Sequence, residues 1–273
     1  MKRIRLVSSD LNGTLVHQHT MMDMIRVGFP EEPERFERAK DAFMKQTSGA
    51  LSMKEAFNLA GPLTKGLRLR TAIEYALWEM RFLDGFPDFI KTLREKDIRF
   101  VINSTGYSIT TEVIKAVYGP EYFHDVICNR LMFGRDSSHL LDEKEISELV
   151  AKFIGGDKSS RVYDEVMAVG TVELGIQDEN EKARLLFKIA DGMRIPRSSI
   201  VHIGDTMGDS RGICEVARHG GIGIAFNYND ALKTYLEEIL KTDPAAGEIL
   251  LISPKSGTSD ARSLLPPIVS EAA

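Results

Sequence analysis

The sequence predicts an α/β protein, a parallel sheet flanked by helices and interrupted after its first strand by an all-helical insert. Three observations carry this reading. From Gly85 onward, short apolar runs alternate with segments of helical periodicity, the pattern of strand–helix–strand units with right-handed crossovers. Residues from about 20 to 84 show helical spacing alone. Three predicted strands end on reactive side chains, Asp10, Ser104-Thr105 and Asp205, and a parallel sheet gathers such ends along one edge.

Each element has its own signal. Ile4 to Ser9 is an apolar strand ending at Asp10. ERFERAKDAFMKQ sets Phe36, Ala39 and Phe43 at helical spacing. Ser52 and Glu55 in SMKEAF form a capping box. RTAIEYALWEMRFL gives a third helix with Ile73, Leu77, Trp78 and Met80 on or near one face, where Trp78 is expected in core packing. FPEEP and GPLTKG interrupt this module as hinges. Beyond Gly85, FPDFIKTLREK is a helix, IRFVINS a strand, and ITTEVIKAVYG a helix closed by Gly119. DVICNRLMFG is a strand and DEKEISELVAKFIGG an amphipathic helix. VYDEVMAVGTVELGI holds one or two strands around Gly170. NEKARLLFKIADGM, GDSRGICEVARHG and DALKTYLEEILK are helices, SSIVHIGD is a strand, and GIGIAF is the last clear strand. The expected organisation is a core of residues 1–18 and 85–253, a helical insert of 19–84, and a tail of 254–273 whose Ser, Pro, Ala and Gly content predicts disorder.

Bulk properties narrow the function. The 273 residues are 43% apolar and 27% charged, as in ordinary globular proteins. A net charge of -5 gives no reason to expect a nucleic-acid or anionic-membrane partner. No window approaches the roughly 18 apolar residues of a membrane span, and MKRIRLVSSD is too short an apolar run for a signal peptide. Cys128 and Cys214 stand far apart without metal-ligand spacing, and both are expected to stay reduced in a cytoplasmic protein.

The strand ends carry the chemistry. Asp205 and Asp209 in GDTMGD, four residues apart at a strand-to-helix turn, suit a hard divalent cation; helix capping is the alternative. Beside Asp10, three acids would repel one another without a cation, which favours magnesium. Ser104 and Thr105 read as hydroxyls at a helix start, an anion cradle or an ordinary N-cap. Lys182 stands in the first turn of a helix, where negative charge is preferred; it is either a solvated lysine or the neighbour of a phosphate or carboxylate.

Taken in order, DLNGT, the Ser104 strand end, Lys182 and GDTMGD resemble the four motifs of the haloacid dehalogenase superfamily. GFPDFIKTLREKDIRFVINSTGYS followed by VICNRL is similar to its phosphoserine-phosphatase-like branch. The resemblance covers roughly residues 4 to 235 and implies a Rossmann-like core with 19–84 as a helical C1 cap. It implies a magnesium-dependent phosphatase acting through an aspartyl phosphate. By position, Asp10 is the nucleophile, Ser104 with Thr105 binds phosphate, and Lys182 offsets charge. Asp10, the backbone carbonyl of Asn12, Asp205 and Asp209 form the metal site.

Asn12 departs from the pattern. The family's phosphatases carry a second Asp there, which protonates the leaving oxygen and then activates water. Losing such a group slows a reaction by roughly 100- to 10,000-fold. Asn12 therefore predicts a slow or specialised phosphatase, with His17 or His19 as possible substitutes for the missing acid–base group, or a phosphoenzyme that lasts. The alternative is a phospholigand-binding or regulatory protein that kept the metal site and lost turnover. A small phosphorylated metabolite is the expected ligand. Phosphoserine is disfavoured, because the family's cap arginine has no counterpart in SMKEAFNLAG.

Overall fold

β1 (Leu6–Ser9) is buried along its whole length because it runs through the middle of a seven-stranded sheet. In the computed structural model, which describes residues 3–47, 50–136, 138–253 and 259–269, the chain leaves β1 for four helices. These are α1 (Thr20–Gly28), α2 (Pro33–Thr47), α3 (Met53–Ala60) and α4 (Leu69–Glu74), the last continuing into a π-helical turn at Tyr75–Glu79. Gly85, at φ 72°, turns the chain into α5 (Phe86–Glu95). There follow β2 (Arg99–Tyr107), α6 (Ser108–Tyr118), β3 (Asp125–Gly134), α7 (Glu143–Ile154), α8 (Val162–Glu165) and β4 (Met167–Glu173). The second half adds α9 (Glu179–Gly192), β5 (Ile200–Gly204), α10 (Ser210–Arg218), β6 (Ile222–Phe226), α11 (Asp230–Thr242) and β7 (Glu248–Ile252). A 3-10 turn at Ala261–Leu264 leads into α12 (Leu265–Val269).

The strand order is β4-β3-β2-β1-β5-β6-β7. Ser9 stands level with Ile102 of β2 and Ile203 of β5, all parallel. The next residues of the three strands therefore emerge together on one edge, which places Asp10 beside Asp205. The fully buried runs LVSS, IVHIG and IGIAF are the unalternating apolar strands that a sheet covered on both faces requires.

Four expectations need correction. β4 pairs antiparallel with the second half of β3, so the sheet is mostly parallel with one antiparallel edge. Its half-exposed MAVGTVE suits such an edge. β7 was not anticipated, since its apolar stretch is short; it adds in parallel to β6. Within the tail expected to be disordered, residues 259–269 are packed, with Ala261, Leu264 and Ile268 buried; residues 254–258 and 270–273 lie outside the described residues. Trp78 is 61% exposed and lies against Lys158 instead of joining the core.

The capping box at Ser52 and Glu55 forms as its sequence dictates, Glu55 N donating to Ser52 Oγ and Ser52 N to Glu55 Oε2. The helical segment is tied to the sheet's edge. Gly66 N donates to Ala168 O, Ala168 N to Leu67 O and Leu69 N to Val166 O, while Arg70 pairs with Asp164 at 2.8 Å. Apolar side chains of both parts form one continuous core. No helix among the described residues is long and apolar enough to cross a membrane.

Candidate active site

Asp10 follows β1 directly, and its N–H donates to Ile203 O, which fixes it against β5. Lys182, from the first turn of α9, reaches inward to both Asp10 Oδ1 (2.9 Å) and Asp209 Oδ1 (2.5 Å). All three side chains are almost fully buried. A lysine in the first turn of a helix opposes the helix dipole; here two buried carboxylates compensate it. Asp178 caps α9 by accepting from Asn180 N and Glu181 N, and Asn103 Nδ2 donates to the Lys182 carbonyl. These two contacts aim the lysine.

Asp205 precedes a 3-10 turn at Met207–Asp209, of which Asp209 is the last residue. Asp209 caps that turn through Oδ2, accepting from Asp205 N (3.3 Å) and Thr206 N (3.4 Å), while Oδ1 takes Lys182. Capping and charge pairing are thus combined in one side chain. Asp205 Oδ1 accepts from Thr14 Oγ1 at 3.0 Å. Gly13, at φ 76°, is the residue that allows this approach, since a Cβ there would collide with the Asp205 carboxylate.

Electrostatics divide the three acids. Burial pushes the Asp10 carboxyl up to about 6 despite Lys182. Burial raises Asp205 well above the ordinary range, and the charges of Asp10 and Asp209 add to it. Burial also pushes Asp209 upward, but Lys182 and His202 outweigh it and hold it below the usual range. Lys182 is lowered by burial and raised by more through the two aspartates, so it stays charged. Carboxylate oxygens of Asp10, Asp205 and Asp209 lie within 4.8 Å of one another. One lysine shared among three acids leaves net negative charge in a low-dielectric site, and this donor set fits a hard divalent cation.

Ser104 and Thr105 do not start a helix, contrary to expectation. They lie in the second half of β2, where its pairing with β3 is irregular, and α6 begins only at Ser108. Ser104 is fully buried, accepts a hydrogen bond from Gly106 N, and holds the Asp10 pKa down through its hydroxyl. Thr105 is held by Asn129, whose Nδ2 donates to its carbonyl. Asn12 is clamped: its Oδ1 accepts from Thr20 N (3.0 Å) and Thr20 Oγ1 (2.8 Å) at the start of α1.

A cavity of about 110 Å³ brings Asp10, Asn12, Thr105, Lys182 and Asp209 together under the helical segment, which contributes His19, Gln46 and Met53. Of the two candidate histidines only His19 lines it; His17 is exposed. Burial lowers the His19 pKa to about 4, so its ring is neutral. The sequence reading missed Thr14, Thr20, Asn103, Glu179 and His202. Thr14, inside DLNGT, could have been found from its place in the turn. His202, beneath Asp209 at 3.8 Å, sits among apolar strand residues with no signal.

The haloacid dehalogenase-like hydrolase family model matches residues 7–211. The chain belongs to this family. Within it, the likeness is to the phosphoserine-phosphatase branch. One curated relative, a phosphoserine phosphatase of Archaeoglobus fulgidus, is 24% identical over 245 residues, covering 89% of this chain and 58% of its own length. Another, a 2-hydroxy-3-keto-5-methylthiopentenyl-1-phosphate phosphatase of Lysinibacillus sphaericus, is 25% identical over 148 residues, 54% of this chain and 61% of its own. The chain thus spans about three fifths of these relatives' lengths. Among solved structures, a phospho-aspartyl intermediate analogue of phosphoserine phosphatase superposes with a TM-score of 0.66 at 20% identity, covering 98% of this chain and 100% of that one. A family hydrolase from Salmonella enterica serovar Typhi gives 0.68 at 15% identity, covering 99% and 72%. At these identities the structural matches speak for the fold.

Proposed function

We propose that this family member is a magnesium-dependent phosphatase of a small phosphorylated metabolite, working through an aspartyl phosphate on Asp10. The observation that carries the proposal is the buried set Asp10, Lys182 and Asp209 in the lining of a cavity roofed by the helical segment, with the Asp205 carboxylate grouped beside Asp10 and Asp209. Residues 19–84 act as the cap, with Gln46 and Met53 closing over the leaving group.

An oxygen of Asp10 attacks phosphorus, and the bond from phosphorus to the substrate alcohol breaks. Ser104 and Thr105 cradle the phosphoryl group, and Lys182 offsets charge on both nucleophile and phosphate. Asp10, Asp205, Asp209 and the Asn12 carbonyl would hold the cation; magnesium, when bound, supplies positive charge for the phosphoryl oxygens. Water then attacks phosphorus, releasing phosphate and restoring Asp10.

Asn12 cannot carry the proton in either half. Its Oδ1 is saturated by Thr20, so its free groups are N–H donors that can hydrogen-bond a leaving oxygen without protonating it. Alcohols that leave readily as anions suffer least. Deamidation to a carboxylate is opposed by the turn, since the Gly13 N–H that would have to react donates to Val16 O at 2.9 Å. The same clamped amide favours the second reading, a phospholigand-binding protein with turnover lost.

The test is magnesium-dependent phosphate release from an aryl phosphate by the protein and by Asn12→Asp. A gain of roughly 100- to 10,000-fold in the substituted protein, abolished by chelation, is the expected result. Comparable turnover by both would assign the proton work elsewhere, with His19 substituted next. No turnover by either would put the binding protein in its place.

A further inference from the structure

The start of α9 carries three acids, Asp178 at the N-cap and Glu179 and Glu181 in the first turn, and two of them have local partners. Asp178 accepts from Asn180 N (2.7 Å) and Glu181 N (3.2 Å). Glu181 accepts from Gln177 N (2.7 Å) and pairs with Arg184. Glu179 has neither kind of bond: among the described residues its carboxylate takes part in no hydrogen bond and no ion pair within 4 Å. Arg211 on α10 is close enough to stabilise its charge, yet Arg211 is exposed and does not pair with it.

Favour from the helix dipole would explain an acid at this position on an open surface. It does not explain one that is half-buried, raised in pKa by desolvation, and set in the wall of the catalytic cavity. Helical geometry puts Glu179 three residues before Lys182, hence on the same face. Lys182 faces Asp10, and Glu179 stands one turn nearer the start of α9.

The charges lining the cavity are lopsided. Asp10, Asp209 and Glu179 are acidic, and Lys182 is the one lining cation among the described residues, already held by Asp10 and Asp209. His19 is neutral, and Gln46, Thr105 and Thr206 carry no charge. A second anionic group on a substrate would meet Glu179 and find no free cation. A cationic group would meet a carboxylate with an open coordination shell.

We propose that Glu179 is a specificity residue that receives an ammonium group on the leaving alcohol, making the substrate a phosphate monoester of a small amino alcohol without a carboxylate. This rests on the phosphatase reading of the same cavity. A charge-assisted hydrogen bond of this kind contributes about 10- to 100-fold in selectivity.

The experiment compares the wild-type protein with Glu179→Gln and Glu179→Asp in magnesium buffer. Its probes are phosphoethanolamine, phosphoserine, glycerol 3-phosphate and p-nitrophenyl phosphate. The wild type is expected to prefer phosphoethanolamine to phosphoserine and glycerol 3-phosphate. Glu179→Gln should lower the kcat/KM ratio of phosphoethanolamine over p-nitrophenyl phosphate by about 10- to 100-fold, mainly through KM, and Glu179→Asp should retain part of it. An unchanged ratio overturns the proposal, as does a wild-type preference for phosphoserine or glycerol 3-phosphate. If neither the wild type nor Asn12→Asp releases phosphate from any of the four, the phosphatase reading falls, and calorimetry with phosphoethanolamine decides separately. An affinity at least tenfold weaker in Glu179→Gln sustains the ammonium site; equal affinities, or no binding, overturn it.

Discussion

His19 lines the cavity between the helical segment and the Asp10–Lys182–Asp209 cluster, with its ring 5.2 Å from that of Phe43 and its Nδ1 buried without a partner. Burial lowers its pKa from 6.5 to about 4, against the opposing influences of a backbone hydrogen bond and of Asp23. Between those values the unfolded chain binds a proton that the folded chain refuses. Stability from this residue is therefore complete above pH 6.5 and is withdrawn as pH falls toward 4, by up to about 3 kcal/mol. Asp10, raised in the folded state, works in the opposite direction over part of that range, so the effect is isolated by difference. Urea unfolding of the protein and of His19→Asn should show the stability difference between them shift against the wild type by this amount from pH 7 to pH 4. At this scale the sequence disclosed the residues that end strands, because strand ends are where a parallel sheet exposes chemistry. Thr20 and Glu179 stayed hidden, because their roles depend on how a separate helix meets the sheet. That meeting is a tertiary fact.

α9 is the element on which the site most depends, since it delivers both Lys182 and Glu179. Its first turn is set by Asp178, which accepts from two backbone N–H groups that would otherwise have no intrahelical partner. Asp178→Ala should lower stability by about 1 kcal/mol and reduce turnover by more than the unfolded fraction explains, because the frayed turn no longer aims Lys182. Chemical denaturation alongside initial rates would separate the two. Helices with strong periodicity and caps were legible, as α3 and α7 show with their capping boxes. β4 and β7 were less so, for a physical reason. An edge strand is half-exposed, and its hydrophobic pattern is correspondingly thin. The shift of α4 into a π-helical turn at Tyr75–Glu79 left no trace in the spacing, which still reads as one continuous helix.

Over the whole molecule, the chain's last described segment returns to the junction where the helical segment rejoins the sheet. Ala261 N donates to Asp84 O, the 3-10 turn at Ala261–Leu264 packs against α5, and Leu264 and Ile268 are buried. Low-complexity composition suggested disorder here, yet three apolar residues suffice to anchor a short piece. Leu264→Ala should cost about 2–5 kcal/mol, read as a lower urea midpoint with unchanged slope. The same change should leave the Asn12 and Lys182 contacts intact, since they lie on other elements.

The Thr20 clamp on Asn12 has a consequence for inheritance. Both of its hydrogen bonds end on the side-chain oxygen, an atom that aspartate shares with asparagine. Asparagine and aspartate codons differ by a single base at the first position, so one transition exchanges the two residues while both Thr20 donors keep their acceptor. Folding offers little resistance to the exchange in either direction. Whichever residue a lineage carries at position 12, selection there acts on reaction rate, and the scaffold stays ready for the other.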